Sequence, residues 1–212
     1  MSEESNTETA KRILTTSLEL FTRHGINFVT MDMIAKELGM SKKTLYVHYR
    51  KKKELLHACI QHRIQEGRAK QRAIMDSSSN VVEGLISTML DSSRELSRVN
   101  PIFFEELSRY YPTVFQLVRK NREEDNYRDT VRNLEEGVRE GYFEENIDVD
   151  IVTKLFLAQV QLISDHDLFP VTDYPRATLI QHVFVRFLKG IATDRGREVI
   201  DRLLDQNDPL RE

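Results

Sequence analysis

The sequence is poor in cysteine, glycine, proline and long apolar runs, and each shortage excludes a class of protein. The 212 residues include one cysteine, Cys59, which cannot form an internal disulfide, with only 8 glycines and 5 prolines. No segment alternates apolar and polar residues long enough to indicate a strand, so the chain is expected to be all-α. No apolar run approaches the roughly 20 residues of a membrane span. The polar segment 1–10 is not typical of a signal peptide. These features predict a cytoplasmic protein.

Motifs that would indicate catalysis are also missing. The sequence has no glycine-rich phosphate loop, no paired-cysteine metal motif and no nucleophile elbow. Asp165, His166 and Asp167 are adjacent, and adjacent residues of a helix do not share a face that could hold one ion. We interpret them as a polar helix end. Cys59 lies on an apolar helix face, which is more typical of packing than of reactivity. We therefore expect neither an enzyme nor a bound metal or cofactor.

Charge is unevenly distributed, although the formal net charge is only -3. Residues 1–76 carry 14 Lys and Arg against 9 Asp and Glu, whereas residues 77–212 carry 17 against 25. Six basic side chains and no acidic ones lie between residues 41 and 53: Lys42, Lys43, Arg50, Lys51, Lys52 and Lys53. Such a basic patch is expected of a surface that binds nucleic-acid phosphates. A simple solvated run is the alternative for Lys51 and Lys53.

Apolar residues recur at three- and four-residue spacing along most of the chain, which predicts ten helices. The first four are expected at about residues 7–24, 31–38, 42–48 and 52–76. The other six are expected at about 81–99, 101–110, 112–140, 148–166, 174–191 and 195–205. The polar segment 77–80 is the clearest break in the chain. It predicts an N-terminal domain, residues 7–67, and a C-terminal domain, residues 77–206, with the fourth helix as their only covalent link.

The second and third helices, about residues 30–49, have the layout of a helix-turn-helix, with Thr30 and Ser41 as N-caps. Lys42 and Lys43 lie in the first turn of the third helix. Positive charge there opposes the helix dipole and costs about 0.3–1 kcal/mol per residue in an isolated helix. Because DNA phosphates would reverse that cost, we predict that the third helix is a recognition helix. The same helix offers further donors to phosphates or base edges at Thr44, Tyr46 and His48.

Residues 7–56, and above all GMSKKTLYVHYRKKKELL from Gly39 to Leu56, resemble the DNA-binding domain of the TetR family. The family pattern G-V-S-x-x-T-L-Y-x-H-F-x-x-K-x-x-L is matched at Gly39, Ser41, Thr44, Leu45, Tyr46, His48, Lys52 and Leu55. Weaker similarity extends to residues 103–112 and 187–201. The resemblance implies a bacterial, nucleoid-associated regulator that binds double-stranded operator DNA as a homodimer.

Carried over to this sequence, the resemblance implies two kinds of DNA contact. Phosphate contacts are expected from Thr30, Thr44, Tyr46, His48 and Lys52. Base-edge contacts are expected from Lys42, Lys43 and Val47, because lysine donates to guanine and valine can touch a thymine methyl. Ser41 and Lys51 complete the predicted DNA-binding set. Packing or capping is the alternative role for Tyr46 and His48.

The C-terminal region holds 13 of the 17 aromatic residues. The candidates for an apolar effector pocket among the fifth to eighth helices are Phe103, Phe104, Leu107, Tyr110, Tyr111, Phe115, Tyr127, Phe156 and Gln159. A role in the helical core is the alternative for each aromatic. The resemblance implies a small-molecule pocket in this region, and the sequence does not identify the ligand.

The eighth and ninth helices carry apolar stripes wider than one antiparallel neighbour usually covers. The residues predicted to pack against a second copy are Val152, Leu155, Phe156, Val160, Ile163, Ile180, Val183, Phe184, Phe187 and Leu188. Two copies related by a two-fold axis would form a four-helix bundle, the arrangement that the resemblance also implies. Such a dimer would bind a palindromic operator.

These observations predict a ligand-responsive DNA-binding regulator, a repressor that a small molecule releases from its operator. The alternative is a helical DNA-binding or adaptor protein without effector sensing. Neither the operator nor the direction of regulation follows from the sequence.

Overall fold

The computed structural model describes residues 3–163, 168–170 and 173–206. These residues form ten α-helices: α1 (Glu3–His24), α2 (Met31–Glu37), α3 (Lys42–His48), α4 (Lys52–Ser77), α5 (Val81–Ser97), α6 (Pro101–Tyr110), α7 (Pro112–Arg139), α8 (Val149–Leu162), α9 (Arg176–Ile191) and α10 (Asp194–Gln206). The all-α prediction is confirmed. Among the described helices, none is long and apolar enough to cross a membrane.

The helices pack into two compact units, which differ from the predicted domains. The first unit contains residues 1–67 and 98–120, and the second contains residues 68–97 and 121–212. Residues 98–120 were expected in the C-terminal domain, but Phe103, Leu107 and Val114 are buried in the core of the first unit. The chain therefore passes between the units within α4, between α5 and α6, and within α7. It follows that α4 is not the only covalent link.

The first unit is built on α1 to α3 with the beginning of α4. Gly25, with a φ of 87°, follows α1, and Gly39, with a φ of 64°, lies between α2 and α3. Both turns need a left-handed backbone, which glycine adopts without steric cost. Fully buried side chains from all four helices form the core, and they include Phe21, Ile34, Leu45 and Leu55. This core fixes the angle between the two short helices.

The second unit is organised around α5, which packs against α9 and α10, while α8 packs against α9. Its fully buried core includes Val82, Leu134, Phe143, Leu188 and Ile200. Asp148 caps α8, because its Oδ1 accepts a hydrogen bond from the Ile151 N–H at 3.0 Å. A local capping residue thus fixes where α8 begins, as at α2 and α3.

Candidate nucleic-acid interface

The third helix of the chain, α3, is anchored by one buried side chain and presents most of the others to solvent. Leu45 is fully buried, whereas Val47 is 77% exposed and Tyr46 is 45% exposed. Lys43 and Thr44 are also exposed. The open face therefore combines a cation, a hydroxyl and apolar groups, and these are the chemical types that read base edges in the major groove.

The two N-cap hydroxyls at this surface have the roles expected from the sequence. Thr30 Oγ1 accepts from the Met33 N–H at 3.2 Å. Ser41 Oγ accepts from the Thr44 N–H at 3.1 Å, and it lies 2.8 Å from Thr44 Oγ1. An accepting hydroxyl keeps its own hydrogen, so Thr30 can cap α2 and still donate to a phosphate oxygen.

Lys42 forms an ion pair with an acidic residue that lies outside the predicted DNA-binding set. Its Nζ forms an ion pair with Asp32 Oδ2, which joins the first turns of α2 and α3. Both side chains are more than half exposed, so the pair adds little to folding stability. Its effect at this surface is to orient Lys42 and to offset its charge.

Lys52, for which the resemblance implies a phosphate contact, is used within the protein. Its Nζ donates to Ile26 O at 2.9 Å, to Val29 O at 2.9 Å and to Asn27 O at 3.5 Å. An ammonium has three donors, so these carbonyls occupy all of them. Burial lowers the pKa of Lys52, and the charge of Glu106 opposes that change. In the described structure, Lys52 holds the segment between α1 and α2.

The two remaining members of the predicted DNA-binding set differ in exposure. Lys51 is exposed beside the start of α4, whereas His48 is half-buried at the end of α3. Lys51 is thus open to a phosphate, and His48 has both packing and solvent contact. Their phosphate contacts remain predictions.

The nine predicted pocket residues fall in both units. In the first unit, Phe103 and Leu107 are buried in the core, Phe104, Tyr111 and Phe115 pack against it, and Tyr110 is exposed. The second unit contains the other three. Phe156 is buried, Gln159 is exposed, and the Tyr127 hydroxyl is hydrogen-bonded to Asp150. Of the five aromatic residues predicted for the pocket in the first unit, all but Tyr110 therefore serve its core.

The predicted dimer stripes are used in part within the single chain. Phe156, Ile163 and Leu188 are buried, which corrects their assignment to a surface. Phe156 stacks on Phe187 with a centroid distance of 4.4 Å and meets Phe184 edge-on at 5.4 Å. Four more residues of the predicted stripes are half-buried: Val152, Val160, Ile180 and Val183. Helical periodicity identifies the apolar residues of α8 and α9. It does not show whether they pack against a helix of the same chain or against a second copy.

The outward side of α8 carries a different apolar set. Ile151 is 54% exposed, Leu155 is 57% exposed and Leu162 is 50% exposed. Residues spaced by four and seven positions share one face of a helix. Of these three, only Leu155 was among the predicted contacts. This outer face is the part of α8 that its own unit leaves uncovered.

Among the described residues, the other candidates for chemistry do not form a site. Burial raises the pKa of the Cys59 thiol to about 12, so the sulfur stays protonated, and it donates to Leu14 O. In the part of the chain that the structure describes, no three His, Cys, Asp or Glu side chains are grouped to hold a metal ion. Asp165, His166 and Asp167 lie outside the described residues.

Comparison with known proteins agrees with this architecture. The sequence model of the family described as "Bacterial regulatory proteins, tetR family" matches residues 13–59, which include α2, α3 and the turn between them. A putative transcriptional regulator from Saccharomonospora viridis, solved in complex with choline, has the same fold. The TM-score is 0.66 at 20% identity, over 88% of this chain and 99% of that one.

Two relatives are similar in sequence, and both are regulators rather than enzymes. An uncharacterised HTH-type transcriptional regulator of Bacillus subtilis, YvaF, is 32% identical over 48% of this chain, and the match spans about half, 53%, of that protein. The HTH-type transcriptional repressor KstR2 of Mycobacterium tuberculosis is 25% identical over 66% of this chain and 72% of its own length. Residues 13–59, which hold the helix-turn-helix, thus match the TetR family of bacterial regulatory proteins, and the all-α fold is shared with a solved transcriptional regulator.

Proposed function

We propose that the protein is a DNA-binding transcriptional regulator whose recognition helix is α3. The observation that carries this proposal is the exposed face of α3, where Lys43, Tyr46 and Val47 point away from a helix anchored by Leu45. A short helix with two lysines in its first turn gains nothing in stability from them. Held within the basic patch of residues 41–53, the same helix suits the major groove of DNA.

A binding measurement on defined DNA tests this proposal. The wild-type protein is used to select duplexes from a random-sequence pool, and affinity for the selected duplex is then measured by fluorescence anisotropy across a range of salt concentrations. The logarithm of the affinity is expected to fall steeply and linearly with the logarithm of salt concentration, through counterion release. A flat salt dependence, or no enrichment of any sequence, would contradict the assignment.

Substitution of Lys43 tests whether this residue contacts base edges or contributes to DNA binding only through its charge. Lys43→Ala is expected to cost about 1–3 kcal/mol on the selected duplex and to change the selected sequence. The matched control is Lys189→Ala, which removes a lysine of α9 that is paired with Asp201. Equal losses for both variants would mean that only net charge matters.

We propose further that the protein is a repressor, which a small molecule releases from its operator. Two hydroxyls support an effector site in the second unit, Thr88 Oγ1 on α5 and Thr153 Oγ1 on α8, which are buried without a hydrogen-bond partner among the described residues. Buried polar groups are normally bonded, so a ligand is a natural partner. The S. viridis regulator of similar fold was solved with choline, and choline is therefore the first compound to test.

An effector acts only through its difference in affinity for the two states of the protein, typically about 1–3 kcal/mol of coupling. The test is a gel shift of the selected duplex with and without choline and a panel of apolar and cationic compounds, alongside thermal melting. Release of DNA by a compound that also raises the melting temperature supports sensing. If compounds that bind leave the complex intact, the alternative holds, a DNA-binding or adaptor protein without effector control.

We further propose that the regulator acts as a homodimer in the bacterial cytoplasm, at the nucleoid. The outward face of α8, with Ile151, Leu155 and Leu162, supports contact with a second copy. A two-fold axis would present two α3 helices to a palindromic operator with half-sites about 34–36 Å apart. The selected sequences test the last point directly, because a dimer enriches inverted repeats and a monomer does not.

A further inference from the structure

Asn100 forms hydrogen bonds with the end of α1 and with the start of α6. The Asn100 N–H donates to Thr22 O at 2.8 Å, and Asn100 Nδ2 donates to Arg23 O at 3.2 Å. The last carbonyls of a helix have no partner inside that helix, so Asn100 supplies one. Its Oδ1 also accepts from the Ile102 N–H at 3.1 Å, which caps α6. The start of α6 is therefore tied to the end of α1.

Further along α6, Glu106 reaches the loop between α1 and α2. Its Oε2 accepts from the Asn27 N–H at 2.9 Å, and the residue is only 9% exposed. Gly25 makes this approach possible, because a Cβ there would lie 3.1 Å from Glu106 Oε2 and 3.0 Å from Ile102 Cγ2. A nearly buried carboxylate, which no part of the proposed DNA contact uses, is thus aimed at one backbone amide.

A positively charged side chain of α4, Lys52, binds the same loop. The Lys52 ammonium binds the carbonyls of Ile26 and Val29 at 2.9 Å each. A carboxylate therefore binds a loop N–H while an ammonium binds loop carbonyls, and the two charges attract each other through the segment that they hold. The loop between α1 and α2 is therefore held by hydrogen bonds from α6 at one of its N–H groups and from α4 at two of its carbonyls.

This loop leads directly into the helix-turn-helix. It ends at Thr30, whose hydroxyl caps α2, and two residues later Asp32 pairs with Lys42 in the first turn of α3. The loop thus sets the start of α2, and α2 orients a lysine of the exposed helix.

We propose that Glu106 is a positioning residue for the DNA-binding surface and acts through the Asn27 N–H on the loop that precedes α2. The proposal rests on the DNA-binding function proposed above. Sequence-specific binding needs α2 and α3 in register with the groove, whereas non-specific binding depends on charge alone. Loss of the Glu106 contact should therefore weaken specific binding selectively.

Two substitutions at Glu106 separate the effect of side-chain length from the effect of its negative charge. Glu106→Gln keeps the length and an oxygen acceptor, whereas Glu106→Asp keeps the charge but is too short to reach the Asn27 N–H. On the duplex selected by the wild-type protein, Glu106→Asp is expected to bind about tenfold more weakly, with Glu106→Gln within about threefold of wild type. On a random-sequence duplex both should bind within about twofold of wild type. The matched control is Glu105→Gln, at an exposed neighbour.

The outcomes distinguish the possible failures. Wild-type affinity of Glu106→Asp for the selected duplex, or equal losses on both duplexes, overturns the positioning role. A Gln variant weaker than the Asp variant overturns it as well, because charge would then be the requirement. Circular dichroism melting shows that the Gln and Asp variants are folded at the assay temperature, and the comparison between these two variants decides the question. A wild-type protein that selects no sequence overturns the DNA-binding function, and this inference with it.

Discussion

Replacing Leu155 by glutamate tests the proposed dimer at a position where the single chain has little to lose. Leu155 is 57% exposed on the outward face of α8, between Ile151 and Leu162. Phe184 is the less suitable target, since it packs edge-on against Phe156 within its own unit. A charge at Phe184 would damage the fold, whereas a charge at Leu155 meets solvent in the monomer.

The size of the effect follows from the exposed fractions. Full burial of a leucine or isoleucine contributes about 1.5–3 kcal/mol, and each of the three side chains is about half exposed. In a symmetric dimer, their six copies would contribute about 5–9 kcal/mol before the cost of association. Leu155→Glu removes part of this and buries two like charges, so we expect a loss of about 4 kcal/mol or more. The dissociation constant should rise at least about a thousandfold.

Sedimentation velocity at micromolar concentration measures this directly. The wild-type protein is expected to sediment as a dimer and Leu155→Glu as a monomer with the same circular dichroism melting curve. Gln161→Glu is the matched control, because it places the same acid at an exposed polar position of the same helix. A Leu155→Glu variant that remains dimeric would refute this interface. A wild-type monomer would refute the dimer altogether.

Three further predictions concern single residues of the first unit. Lys52→Met should lower the melting temperature and weaken specific binding, yet leave the salt slope within experimental error, because its ammonium binds carbonyls; a slope reduced by about 1 would mean a phosphate contact after all. Asp32→Asn should tighten binding to random-sequence DNA and reduce discrimination, because it frees Lys42 and removes an acid beside the phosphates; equal discrimination by the variant and the wild type would contradict this. Cys59 should resist a thiol reagent at pH 8 in the folded protein and react quickly in denaturant, because burial raises its pKa to about 12; fast reaction in the native state would show that the core opens.

The helix bounds, the helix caps and the helix-turn-helix motif of this protein follow from the sequence alone. The observed bounds of α3, Lys42–His48, and of α6, Pro101–Tyr110, are the predicted ones. Caps such as Thr30 and Ser41 bind backbone three residues away, and helical periodicity needs only neighbouring residues. The motif around α3 is equally local, since it lies within the continuous segment from Gly39 to Leu56. The all-α fold class and the resemblance of the helix-turn-helix segment to the TetR family followed from these signals.

The tertiary structure alone decided which residues are partners. Lys52 and the carbonyl of Ile26 are 26 positions apart, and Glu106 and Asn27 are 79 positions apart. No pattern within a helix specifies such pairs, because they depend on how the chain returns to the first unit at residues 98–120. The same reason explains α8, where Phe156 and Leu155 are adjacent and equally apolar. Only the packing against α9 buries the first and leaves the second exposed.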